Sequence, residues 1–226
     1  MSMLEKRWKY PLSVDCVIFG YTEGELKIAL IERKNEPYKG QWAIPGGFVE
    51  GDETVEEAAF RELREETGIH DIYLEQCHVF SRPDRDPRGR VITVAFFALI
   101  DSEQFQLIAS EDALRAKWWP NNALPDLAFD HKEILQAAIN SLQIAMRTKP
   151  IAFHLLADAF TLSQLQRLYE KVFEIELDKR NFRKKVQKMD FIIETKKMTQ
   201  GGRHRPAMLY RFDQKLYDKH ATDIMF

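Results

Sequence analysis

The chain is short of most features that would place it outside a cell or in a membrane. It has only two cysteines in 226 residues, Cys16 and Cys77. They are isolated, without metal-ligand spacing, and read as buried thiols in strands of an intracellular protein. The opening MSMLEKRWKY has no apolar core, and no apolar run is long enough to span a bilayer, so a cytoplasmic chain with no membrane partner is expected. There is no internal repeat and no low-complexity tract. With 45% apolar and 30% charged residues, the composition is that of a soluble globular protein, long enough for one large domain or two small ones.

Net charge is also nearly absent, at −2, but this balance hides an asymmetry. Residues 150–226 carry 15 Lys+Arg against 10 Asp+Glu, while residues 1–149 carry 18 against 25. An acidic first part and a basic second part imply two jobs. The stretch Arg147-Thr148-Lys149-Pro150 is the expected boundary, giving domains 1–148 and 149–226.

What the first part does contain is the run GGFVEGDETVEEAAFRELREETGI, residues 46–69. Thr54 and Glu57 make a capping box, so a helix is expected to start there, and Gly68 to end it. At 100° per residue, Glu62, Glu65 and Glu66 fall within one arc of roughly 100°. Ala59, Phe60 and Leu63 lie on an adjacent arc suited to burial. Three carboxylates crowded on one arc repel one another. A hard divalent cation, Mg²⁺ or Mn²⁺, resolves that repulsion, binding through a few carboxylates together with substrate phosphate oxygens. Arg61 is spaced to orient the ligands, with Glu53 as its salt-bridge partner, and Pro45-Gly46-Gly47 lets backbone approach a metal or phosphate closely.

Gly47, Glu53, Arg61, Glu62, Glu65, Glu66 and Gly68 together match the Nudix box, so the first two thirds of the chain resembles the Nudix family. The resemblance implies an α/β/α sandwich around a mixed sheet, Glu62, Glu65 and Glu66 as metal ligands, and hydrolysis of a diphosphate linking a nucleoside to a second group. Glu66, Glu65, Glu62, Arg61 and Glu53 are then the candidate catalytic residues. Glu111 and Asp112 lie in a loop where related enzymes sometimes place a further acid. Pro83, fifteen residues after Gly68, and the tract RDPRGRV are similar to ADP-ribose pyrophosphatases within that family.

Hydrophobic patterning around the box predicts strands over 12–21, 26–32, 72–80 and 91–100, a short strand at 117–120, and an amphipathic helix from about 129 to 146. His131 reads as a helix-start or core residue. The loop 81–90, SRPDRDPRGR, has two readings. Arg82, Arg85, Arg88 and Arg90, with Gly46 and Gly47, could hold an anionic substrate through bidentate guanidinium contacts. Alternatively, Asp84 and Asp86 neutralise a solvated hairpin loop.

In the second part, Thr161 and Gln164 form a capping box, with Phe160 and Leu165 as a hydrophobic staple. Leu162, Leu165, Leu168 and Val172 form a buried stripe. Asp178 caps a second helix in which Phe182, Val186 and Met189 are expected to face the core. The opposite face gathers Arg180, Asn181, Lys184, Lys185 and Lys188, flanked by Arg183. Two strand-like runs follow around a basic tip containing Arg203 and Arg205. Helix, turn, basic helix and hairpin is the order of a winged helix-turn-helix, whose basic face suits DNA phosphates and base edges. A basic helix in a small oligomerisation domain is the other reading. With both parts together, including FTLSQLQRLYE and DKRNFRKKVQKMD, the chain resembles the Nudix-related transcriptional regulators.

That resemblance implies a homodimer on a palindromic double-stranded operator, responding to an ADP-ribose-like metabolite of NAD metabolism. Hydrolysis is expected to be retained because no position of the box is eroded. A stand-alone hydrolase with an assembly domain is the first alternative. A sugar-responsive, arabinose-type repressor is the second, disfavoured because a neutral pentose has no use for a diphosphate site.

Overall fold

The computed structural model describes residues 10–22, 24–109, 113–199 and 206–223. Apart from residues 23–25, the chain divides into two compact units between Leu142 and Gln143. The Arg147-to-Pro150 break ends a helix, and the division falls earlier within that helix.

In the first unit β1 (Leu12–Thr22) and β2 (Glu25–Arg33) begin a mixed sheet. β3 (Trp42–Ala43) and β7 (Ala113–Pro120) pair antiparallel with β2, and β4 (Gly46–Phe48) pairs antiparallel with β1. β6 (Ile92–Asp101) lies parallel to β1 over its whole length, from Leu12 opposite Ile92 to Tyr21 opposite Asp101, and β5 (Glu75–Phe80) is antiparallel to β6. Strand alternation sorts the side chains. Val14, Cys16 and Ile18 of β1 and Val94, Phe96 and Ala98 of β6 form one core with Ala58, Ala59 and Leu63 of helix α1 (Val55–Thr67). The intervening residues Asp15 and Thr93 are turned to the opposite face, where Asp15 lies beside His131, the first residue of α2 (His131–Thr148). Ile134, Ala138 and Leu142 keep the i, i+4, i+8 spacing of α2's buried stripe.

α1 has the ends its sequence specifies. Thr54 and Glu57 exchange both capping-box hydrogen bonds, and Gly68 closes the helix at φ 77°. That left-handed conformation is where glycine avoids a Cβ clash. Some element limits differ from the sequence reading. β5 starts at Glu75 instead of Ile72, and β7 starts at Ala113, four residues before the expected strand at Lys117. Both extended runs depend on a partner strand that local pattern does not specify.

The second unit continues with α3 (Ile151–Leu155), β8 (Phe160–Thr161), α4 (Leu162–Phe173), α5 (Lys179–Val186), β9 (Ile192–Met198), β10 (Met208–Phe212) and α6 (Gln214–Asp223). Its sheet has the order β8-β10-β9, antiparallel throughout. Leu162, Leu165, Leu168 and Val172 are buried along α4, whose capping box is complete, and the Asp178 carboxylate accepts the Asn181 N–H to start α5. Phe153 stacks on Phe212 with ring centroids 4.6 Å apart. Val186 is buried, but Met189 is exposed because α5 ends at Val186 and the chain turns before reaching it.

Candidate functional site

The middle and last turns of α1, the residues just before it and the 46–48 strand bring most of the box together. Arg61 is its hub. Its Nε and Nη2 donate to both oxygens of Glu53 at 3.0 and 2.6 Å, Nη1 reaches Glu62 at 2.9 Å and Glu65 at 3.3 Å, and Nη2 also donates to the Phe48 carbonyl at 3.0 Å. Hydrogen bonds from Arg61 and from the Glu50 N–H hold the Glu53 carboxyl down at about 2. Glu53 is therefore charged at any working pH and fixes the guanidinium that orients the other acids.

Glu62 and Glu66 are half-buried, while Glu65 lies at the surface. Loss of water raises the Glu62 carboxyl above the usual carboxylate range, against the opposing pull of Arg61. The same desolvation lifts Glu66 to about 8, with the Gly46 N–H donating to it at 2.8 Å in opposition and the Glu62 charge adding to the rise. The glycines make this crowding possible. A Cβ on Gly47 would collide with the Glu62 carboxylate, and one on Gly46 with the Val14 carbonyl. The donor set, all carboxylate oxygen and mutually repelling, fits a hard divalent cation. The arrangement is not preassembled: among the described residues no three acidic, histidine or cysteine side chains are gathered to hold a metal. Arg61 engages Glu62 and Glu65, and Gly46 engages Glu66.

Next to the glycines is a pocket lined by Asp15, Arg33, Gly46, Gly47, Phe48, Arg85, Asp86, Arg88, Phe129 and His131 among others. The four loop arginines are not equivalent there. Arg85 is buried and forks onto Asp130 at 2.9 and 2.7 Å, with Asp15 at 3.7 Å. Arg88 forks onto Asp86 while lying over the Phe48 and Phe129 rings. Arg82 pairs with Glu133 and Asp84, and Arg90 lies over Tyr10; neither lines the pocket. His131 accepts the Ile44 N–H at Nδ1 (2.9 Å), and burial lowers its pKa, so it is a neutral core histidine at neutral pH. Glu111 and Asp112 lie outside the described residues.

Sequence reasoning missed Asp15, Arg33, Phe129 and Asp130. Asp15 sits in an otherwise apolar strand, a signal that a buried charge needs partners. Arg33 sits at the end of β2 beside a polar loop, and nothing local separates it from a solvated strand end. Phe129 and Tyr38 have φ of 51° and 64°, with their rings in edge contact at 4.7 Å. Left-handed backbone at bulky residues is uncommon and concentrates at binding sites.

In the second unit, Arg180, Asn181, Arg183, Lys184 and Lys185 on α5, and Lys188 just beyond it, are all exposed, while Val186 anchors the helix from its other side. Arg203 and Arg205 fall outside the described residues.

Comparison with known proteins covers both units. Residues 9–138 match the Nudix domain family, and residues 152–212 match the NrtR DNA-binding winged helix domain. The chain is 38% identical to the ADPR-responsive transcriptional repressor NtrR of Acinetobacter baylyi, over 92% of this chain and 84% of that protein. It is 46% identical to the ADP-ribose pyrophosphatase of Methanocaldococcus jannaschii, over 58% of this chain and 76% of that one. Shewanella oneidensis NrtR, solved with a 27mer DNA, superposes with a TM-score of 0.72 at 32% identity, covering 92% and 95% of the two chains. Its Nudix domain alone, solved with ADP ribose, matches at a TM-score of 0.56 and 33% identity, covering 63% of this chain and 99% of that one.

Proposed function

The chain belongs to the NrtR family of Nudix-domain transcriptional regulators, and from that premise we propose that it binds and cuts an ADP-ribose-like nucleoside diphosphate and binds duplex DNA. The observation that carries the hydrolytic half is the pair Glu62 and Glu66, crowded and desolvated against two glycines. A pocket that only bound its effector would gain nothing from two repelling, half-buried carboxylates. Glu62, Glu65 and Glu66 would hold Mg²⁺ or Mn²⁺, which when bound neutralises the diphosphate and acidifies water. Glu53 keeps Arg61 in place, and Arg61 keeps Glu62 and Glu65 on one side of α1. Gly46 and Gly47 line the pocket beside the ligand, with the Gly46 N–H held by Glu66. Glu66, or an acid at 111–112, is the proton acceptor. Cutting ADP-ribose would release AMP and ribose 5-phosphate.

The DNA half rests on α5. Arg180, Asn181, Arg183, Lys184, Lys185 and Lys188 supply phosphate contacts and groups able to read base edges, with Arg203 and Arg205 as further contacts. A homodimer would place two such helices on the halves of a palindromic operator. The test has two arms on the full chain: Mg²⁺-dependent release of AMP from ADP-ribose, and salt dependence of binding to DNA upstream of the native operon. AMP release together with binding that weakens steeply with salt is expected. Release without salt-sensitive DNA binding would reduce the chain to a hydrolase with an assembly domain.

A further inference from the structure

The basic helix α5 is eight residues long, and of these only Val186 is buried. Phe182, four residues earlier on the same face, is half-buried and meets Tyr169 with ring centroids 6.3 Å apart. A helix this short is not stable alone, so its position comes from what holds it. Two side chains in one line along a helix leave it free to roll about that line.

The start of α5 is held from α4 instead, with Glu170 as the hub. Its backbone carbonyl accepts the Glu174 N–H and, at 3.2 Å, the Ile175 N–H, as α4 closes on Glu174 at φ 52°. Its carboxylate accepts the Leu177 N–H at 3.0 Å. Gln166, one turn earlier on α4, donates from Nε2 to the same Glu170 oxygen at 2.8 Å and to the Leu177 carbonyl at 2.8 Å. Both partners of that amide are acceptors, so only its NH₂ end fits there. Leu177 thus has its N–H and its carbonyl both gripped by α4 side chains. It directly precedes Asp178, whose carboxylate caps α5 by accepting the Asn181 N–H at 2.8 Å. Neither Gln166 nor Glu170 belongs to the basic face.

We propose that Gln166 and Glu170 are specificity-determining positioning residues, which fix Leu177 and thereby the angle at which the start of α5 meets the bases. This rests on the reading above that α5 is the helix that meets DNA. Base edges are read from the first residues of such a helix, which here include Arg180 and Asn181. A bidentate contact to a base edge tolerates only small errors of placement. The attraction of long lysine and arginine chains to phosphates is not tied to one geometry. Losing the clamp therefore costs base discrimination and leaves charge-driven binding in place.

Titration of the full-length protein against the native upstream duplex and a scrambled duplex of the same length and composition, over a salt series, tests this. Wild type is expected to prefer the native duplex. Glu170→Ala and Gln166→Ala should each cut that preference about 10- to 100-fold, the range for losing the readout of one base pair, with the salt slope on the scrambled duplex unchanged. Glu170→Gln, whose amide oxygen still accepts both N–H groups, should keep most of the preference. Circular dichroism shows which variants are folded at the assay temperature, and Gln166→Met, which keeps the side-chain length but no donor, replaces an alanine variant that is not. Alanine variants that discriminate like wild type would overturn the clamp. So would an equal loss of affinity on both duplexes, or a Glu170→Gln protein as impaired as Glu170→Ala. A wild-type protein that binds both duplexes alike would overturn the base-reading role of α5 itself.

Discussion

In the Nudix unit Asp15, Arg85 and Asp130 are buried and Glu62 and Glu66 half-buried, whereas in the winged unit Arg180, Asn181, Arg183, Lys184, Lys185 and Lys188 all stand in water. The difference follows from what each unit is built to meet. A small ligand has to be enclosed, so its site draws charges inside and must satisfy each with a partner, as Asp130 does for Arg85. A DNA backbone is a long anionic surface, met by solvated cations that release counterions on contact. Charge in the first unit is therefore tied to stability and pH, and charge in the second to salt.

The sharpest way to break this contrast is Glu66→Gln, expected to lower Mg²⁺-dependent AMP release about 10²- to 10⁴-fold, the range for losing an acid–base group, while duplex binding is kept. Next comes Asp130→Ala, which strands the Arg85 charge in the interior. It should cost about 3–5 kcal/mol of stability, read as a lowered denaturant midpoint. The solvated charges should behave in the opposite way. Arg183→Ala with Lys184→Ala should leave stability within about 0.5 kcal/mol per site but weaken duplex binding and reduce its salt slope by about two.

A pH series sharpens the same comparison. Folding raises the Glu66 carboxyl to about 8, so its protonated form contributes stability at low pH that is lost as pH rises through that value. In EDTA the protein should therefore melt progressively lower between pH 5 and pH 9 as far as Glu66 governs it, and Glu66→Gln should flatten that fall. The thermal shift given by Mg²⁺ should grow over the same interval, because the cation needs the ionised carboxylate. The smallest effect is Thr161→Ala, removing the α4 cap for about 1 kcal/mol, with Nudix turnover untouched.

Local, repeated patterns were legible in the sequence. The capping boxes at Thr54 and Thr161, the Gly68 terminus and the α4 stripe all depend on residues within a turn or two of one another. So does the Arg61–Glu53 pair, which spans the start of a single helix. The pocket wall was legible only in part: Gly46, Gly47, Arg85 and Arg88 stood out, but Arg33, Phe129 and the Asp130 partner of Arg85 join them only when β2, the 81–90 loop and the start of α2 are folded together. Four arginines in one loop look alike as letters. Structure separates them into a buried ion pair, a pocket wall and two residues outside it. Met189 kept the helical spacing of a core residue, but α5 had already ended.

We propose that a ligand held in the Nudix unit controls DNA binding by the winged unit. The decisive measurement is a mobility shift of the native upstream duplex at fixed salt, with and without ADP-ribose. Release of the duplex is expected at ADP-ribose concentrations near its binding constant. Duplex affinity that stays unchanged at saturating ADP-ribose would mean that the two sites are not coupled.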